Sequence, residues 1–207
     1  MPELPEVETV KETLKKKLIG RKIAKVTVLY PNLIVSPSVL EFQKRIVGQT
    51  IQDMKRRGKW IIFELDNYAL LSHLRMEGKY FFRNPSDPID KHEHISFLLD
   101  NKEELRYQDT RKFGRMYLIK KEDVLTSKPI CDLGLEPWDE NLTVSYLKDS
   151  YLKKTLPIKT VLLDQTIITG IGNIYANEIL YLSRINPYKK VNELTEKELE
   201  LIILNTR

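Results

Sequence analysis

Three residues at the start of the chain have types and spacing suited to covalent chemistry: Pro2, Glu3 and Glu6. Removal of Met1 ahead of the small Pro2 leaves a free secondary amine. An α-amino group titrates at about 7.7–8.0, so part of it is unprotonated and nucleophilic near neutral pH. Attack of such an amine on an electrophilic sugar or carbonyl carbon gives an iminium, the logic of Schiff-base lysines. Glu3 and Glu6 fall within one helical turn of the amine. One carboxyl can serve as general acid for the leaving event while the other orients the amine or a water. The hexapeptide also reads as an ordinary helix start, with Pro5 and acidic neighbours in the first turn. On these residues alone both readings stand.

The element that must hold this turn is a helix over residues 5–19. Val7, Val10, Leu14 and Leu18 recur at spacings of three and four, opposite a lysine-rich face, and Gly20 stops it. Strand patterns follow at 22–30, 50–56, 60–65, 69–74, 79–83, 94–99, 104–108 and 114–119, with a short helix around Val39–Ile46 between the first two. Turn signals such as Arg57-Gly58, Glu77-Gly78 and Asp100-Asn101 separate most of them. Many short strands at this spacing predict an antiparallel β-sandwich with flanking helices. Residues 127–137, with Pro129, Gly134 and Pro137, read as a linker. Beyond it only helical patterns occur, near 144–153, 158–165, 174–184 and 196–207, the last opened by the capping box Thr195–Glu198. The fold class is therefore α+β: a β-sandwich domain over 1–126, the linker, and an all-α domain over 138–207.

Composition bounds the possibilities. The 207 residues, 42% hydrophobic and 30% charged, suffice for two ordinary domains with a core. No apolar run approaches the roughly 18 residues of a membrane span, and no apolar leader opens the chain, so a cytoplasmic protein is expected. Lys+Arg 34 against Asp+Glu 29 gives +5, a modest excess. Its local clusters, Lys15–Lys17, Lys55–Arg57, Lys153–Lys154 and Lys189–Lys190, are either phosphate-facing or merely solvated faces. Cys131 is the only cysteine, which excludes an intramolecular disulfide and a cysteine-built zinc site.

Three motifs carry further chemistry. Thr169-Gly-Ile-Gly-Asn173 fails as a dinucleotide fingerprint, because no strand precedes it and Tyr175 stands where a third glycine belongs. It reads as a turn between helices with Asn173 as N-cap, where backbone N–H groups can approach a phosphate. Asp109-Thr-Arg-Lys-Phe-Gly114 puts a cation and an aromatic two apart in a polar loop. Such a pair can wedge between base steps, although a β-turn with one buried Phe is the plainer reading. His92-Glu-His94 lacks a third ligand for a metal pair.

The opening Met1-Pro-Glu-Leu-Pro-Glu-Val-Glu-Thr-Val10 resembles the N-terminus of the bacterial formamidopyrimidine-DNA glycosylases. The likeness recurs in family order at Arg57–Lys59, Ser72–Tyr80, Lys91–His94, Asp109–Gly114 and Thr169–Ala176. It implies a base-excision repair enzyme that flips an oxidised purine out of duplex DNA, removes it and cuts the strand at the abasic site by β,δ-elimination. In that resemblance Pro2 is the nucleophile, Glu3 protonates the opened sugar oxygen, and Lys59 contacts phosphate and assists elimination. Met76, Arg111 and Phe113 fill the vacated stack, and His92, Lys154 and Asn173 hold DNA in a sandwich and helix–two-turn–helix arrangement. Thr110 replaces a usual proline, which would loosen its loop. Leu4 favours the purine enzymes over the related endonuclease VIII group, which takes glycine there and removes oxidised pyrimidines. The partner expected is damaged double-stranded DNA, bound by a monomer near the nucleoid.

The resembled family also ends in a four-cysteine zinc finger, for which residues 1–207 hold no ligands. The helical domain is therefore expected to be incomplete, no cofactor is expected in this chain, and the apolar stripe of Leu199, Ile202 and Ile203 is expected to lie uncovered. A damage-binding fragment without full turnover is the alternative.

Overall fold

A computed structural model describes residues Met1–Arg207, which divide into two compact units, Met1–Lys128 and Pro129–Arg207. The first opens with α1 (Leu4–Leu18), then β1 (Ile23–Val28), β2 (Ile34–Ser36) and α2 (Val39–Ile46). It continues with β3 (Asp53–Arg57), β4 (Trp60–Glu64), β5 (Tyr68–His73), β6 (Lys79–Arg83), β7 (Glu93–Leu99), β8 (Glu104–Gln108) and β9 (Arg115–Lys120). Two sheets form, in the orders β1-β7-β8-β6 and β2-β9-β5-β4-β3. One core takes Leu14 and Leu18 from α1, Phe42 from α2, Phe63 and Leu70 from one sheet, and Phe97 and Leu105 from the other.

Two departures from the sequence expectation have local causes. The strand at 22–30 does not alternate regularly: Ile23 and Val26 are both buried, three apart, because a bulge between Ile23 and Lys25 shifts its register on β7. The expected antiparallel sandwich also carries one parallel pair, β2 on β9, built from a three-residue strand too short to announce itself by alternation. On α1 the buried line runs Leu4, Val7, Lys11, Leu14 and Leu18, with Val10 at its edge. Lys11 joins it by burying its stem while its ammonium pairs with Glu8 at 2.7 Å and Glu12 at 2.5 Å.

The second unit contains α3 (Val144–Tyr151), α4 (Ile158–Leu162), α5 (Asn173–Ser183) and α6 (Glu196–Thr206) around its own core. Here the expectation of an uncovered stripe is overturned. Leu199, Ile202 and Ile203 are 2%, 0% and 9% exposed, because α6 packs on α5 and α3 and turns this face into the core. No helix is long and apolar enough to cross a membrane.

Candidate active site and nucleic-acid interface

The start of α1 is built around the two carboxylates. Glu3 is the N-cap, in an extended conformation, and its backbone N–H donates to the Glu6 Oε2 at 2.9 Å, one arm of a capping box. Glu6 thus spends an oxygen on fixing the backbone that carries Pro2 and Glu3, which makes it an orienting group. Glu3 itself is 2% exposed, whereas Pro2 is half-buried. Together Pro2 and Glu6 open onto a cleft of about 380 Å³ between α1 and β6, walled by Val10, Leu14, Met76 and Phe82.

Lys59, in the tight turn between β3 and β4, is 5% exposed, unlike the usual surface lysine. Burial depresses its ammonium below the ordinary lysine value; the charge of Glu3 opposes this and that of Arg75 adds to it. A buried acid, a buried amine of lowered basicity and the Pro2 nitrogen are thereby gathered at one end of the sandwich.

His73, which had no role in the sequence reading, supports this region. Burial, with Arg75 and Lys59 nearby, drives its pKa down to about 3, so the ring is neutral at physiological pH. Its Nδ1 accepts the Arg75 N–H at 3.0 Å. Arg75 has a φ of 53°, a left-handed turn that a non-glycine residue adopts only when held. The turn presents Met76, 40% exposed.

The second projecting turn, residues 109–114, is organised by Asp109, which is fully buried. Its carboxylate accepts the N–H of Arg111 at 3.1 Å and of Gly114 at 2.8 Å, and its carbonyl oxygen lies 2.7 Å from His94 Nε2. Thr110 is exposed and contributes none of these bonds, so the missing proline does not deprive the loop of its anchor. Phe113 is not the buried aromatic of a plain β-turn: it is 45% exposed, with the Arg111 guanidinium 4.7 Å from its ring centre. His92 is half-buried, its N–H bound to Asp90, while His94 is a core residue tied to the Asp109 carbonyl.

In the helical unit, Asn173 is not the N-cap expected. Gly172 takes that place, in an extended conformation, and Asn173 is the first residue of α5, exposed at its N-terminal end. The positive end of the helix dipole makes this a suitable place for an anion. The turn before it is stitched by Gln165, whose Nε2 donates to Leu163 O at 3.0 Å and Ile171 O at 2.8 Å, and whose Oε1 accepts Gly170 N–H at 2.9 Å. Lys154 is half-buried, with its ammonium 3.6 Å from Asp164. Cys131 is exposed and is the only cysteine in the sequence, so the four-cysteine zinc site of the resembled family does not fit the residues present.

Comparison with known proteins agrees with this geometry in both units. Residues 1–116 match the family model of the formamidopyrimidine-DNA glycosylase N-terminal domain, and residues 133–207 that of the formamidopyrimidine-DNA glycosylase H2TH domain. The chain is 45% identical over 203 residues to a formamidopyrimidine-DNA glycosylase of Bacillus cereus, covering 98% of this chain and 74% of that protein. The corresponding Bacillus subtilis protein is 44% identical at the same coverage. Among solved structures, a Lactococcus lactis Fpg complexed with DNA containing an abasic site superposes with a TM-score of 0.92 at 39% identity, covering 99% of this chain and 75% of that one. The same bacterium's Fpg complexed with a FAPY-dG containing DNA gives 0.93 at 39% identity, over 99% and 77%. With both halves matched and nearly every residue covered, the chain belongs to the formamidopyrimidine-DNA glycosylase family.

Proposed function

We propose that this protein is a DNA glycosylase and abasic-site lyase of base-excision repair, acting on oxidised purines with Pro2 as its covalent nucleophile. The observation that carries the reading is the buried Glu3 at the α1 cap, with Pro2 immediately before it and the buried, weakly basic Lys59 within electrostatic reach. Its relatives of known structure were solved on abasic and formamidopyrimidine DNA.

The steps follow from the groups present. The damaged nucleotide leaves the duplex at an unstacking cost of a few kcal/mol. The Pro2 nitrogen attacks the anomeric carbon, the bond to the base breaks, and Glu3 protonates the sugar-ring oxygen as the ring opens. The resulting iminium acidifies the adjacent C–H. Loss of that proton expels the 3′ phosphate, and a second elimination expels the 5′ phosphate. Hydrolysis of the iminium then returns the amine. Lys59 supplies a positive charge to the phosphate and, when unprotonated, a base for elimination. Met76, Arg111 and Phe113 fill the vacated stack. His92, Lys154 and Asn173 hold phosphates.

Borohydride should trap a protein–DNA adduct on an abasic duplex, and the adducted peptide should begin at Pro2. An adduct on a lysine overturns Pro2 as the nucleophile, whereas no adduct and no cleavage in a folded protein with a free Pro2 overturns the lyase and leaves a damage-binding protein. Glu3→Gln should slow excision of oxoguanine by about 10²–10⁴-fold with little change in Kd. Equal losses of rate and affinity would make Glu3 structural.

A further inference from the structure

The two projecting turns, residues 74–78 and 109–114, share one buried contact. Each closes on a glycine, Gly78 after Met76 and Gly114 after Phe113. A Cβ added to Gly78 would lie 2.3 Å from the Tyr107 hydroxyl oxygen, and one added to Gly114 would lie 1.9 Å from the same atom. The hydroxyl therefore fills the space that side chains at both positions would need. It also donates to Asp109 Oδ2 at 3.3 Å, and Asp109 in turn holds Arg111 N–H and Gly114 N–H. Tyr107 is fully buried in β8, with its ring edge-on to Tyr80 of β6 at 5.2 Å. Tyr80 stands two residues past Gly78 and is directly paired with Tyr107. One side chain thus abuts the base of the Met76 turn and the base of the Arg111–Phe113 turn.

We propose that Tyr107 is a positioning residue that joins the two turns into a single wedge, so that Met76 and the Arg111–Phe113 pair enter a duplex together. Packed interiors transmit displacement because neighbouring groups have no free volume to absorb it. A shift of Gly78 of a few tenths of an ångström must move the hydroxyl, and through Asp109 the second turn. The wedge rests on the proposed DNA-repair function, since it describes how the same protein would fill the gap left by the extruded nucleotide.

The test is a double-mutant cycle on the whole chain. Its readout is Kd for a duplex bearing a non-cleavable abasic analogue opposite 2-aminopurine, whose fluorescence reports stacking at the gap without turnover. Met76→Ala and Phe113→Ala, both at exposed positions, should weaken binding. Their combined effect should differ from the product of the single effects by about threefold or more, as for coupled sites. In a Tyr107→Phe background, which removes one oxygen and keeps the ring, the two effects should become multiplicative. Independent effects in the native background overturn the wedge, as does coupling that survives Tyr107→Phe. If Tyr107→Phe fails to fold, the native cycle alone decides. Excision of oxoguanine by the unmodified chain is measured alongside. Excision with uncoupled turns sinks the wedge and leaves the enzyme standing, whereas no excision and no abasic cleavage sinks the function. Absence of 2-aminopurine response on binding overturns the wedge whichever way the excision result falls.

Discussion

At the scale of the residue, the site works by withholding water from groups that would otherwise be ordinary. Lys59 and Glu3 are common surface types held here under the surface, and burial is what turns one into a weakly basic amine. None of this was legible in the sequence. Spacing puts Pro2, Glu3 and Glu6 on one turn, but the burial of Lys59 and His73 follows from how the strands pack and leaves no mark in the local pattern. His73 gives a direct consequence. Its folded pKa of about 3 lies below the ordinary 6.5, so between these values the unfolded chain binds a proton that the folded chain refuses. Stability is therefore full above pH 6.5 and is lost as pH falls toward 3, by up to about 1.4 kcal/mol per pH unit. His73→Asn keeps an acceptor for the Arg75 N–H and removes the titration. Urea denaturation from pH 7 to 4.5 should show a shallower acid decline in this variant than in the parent. Parallel curves would place the sensitivity elsewhere.

At the scale of the element, the sequence was read well where one face of a regular element meets one core. The α1 stripe, the strands with turn signals at both ends and the Thr195 capping box of α6 all have that character. It was read poorly where a single residue of register matters. The bulge in β1 and the cap at Gly172 each move a side chain by one position, and nothing in local composition distinguishes one position from its neighbour. The burial of the α6 stripe is hidden for a different reason: its covering surface comes from α3 and α5, which are separate in sequence. Ile202, at 0% exposure, should therefore act as a core residue. Ile202→Ala should cost about 2–5 kcal/mol, the range for such truncations in a packed interior. Trp138 is the only tryptophan of the helical unit, so fluorescence in a Trp60→Phe background follows that unit's unfolding. A loss under 1 kcal/mol would mean the stripe is solvated in solution.

At the scale of the whole molecule, the net charge of +5 says less than its arrangement. Several basic clusters are already engaged with the chain's own acids: Lys15 with Asp53, Lys55 with Glu64, Arg56 with Glu8, and Lys189 with Glu198. Those side chains contribute less to a phosphate-facing field than a count of cations suggests. The division into two units also separates two kinds of group. The proposed catalytic turn and its supports, Pro2, Glu3, Lys59 and His73, all lie in Met1–Lys128, where burial lowers the basicity of Lys59 and His73. The proposed hold on phosphate at the α5 turn depends instead on neutral carboxamides, Asn173 and the Gln165 that shapes the turn, which carry no titrating proton.

Gln165 also gives that hold a chemical lifetime. Only a carboxamide can donate to two carbonyls from one end and accept an N–H at the other, as Gln165 does at Leu163, Ile171 and Gly170. Hydrolytic deamidation replaces the NH₂ with an oxygen and sets a carboxylate against two carbonyl lone pairs, so an ageing reaction at one neutral atom would spring the turn that presents Asn173. Gln165→Glu reproduces the aged state. Its duplex affinity should fall about tenfold or more, in keeping with the cost of an unsatisfied charged contact, while borohydride trapping at Pro2 under saturating DNA persists. Unchanged affinity would mean the turn holds its shape without the stitch.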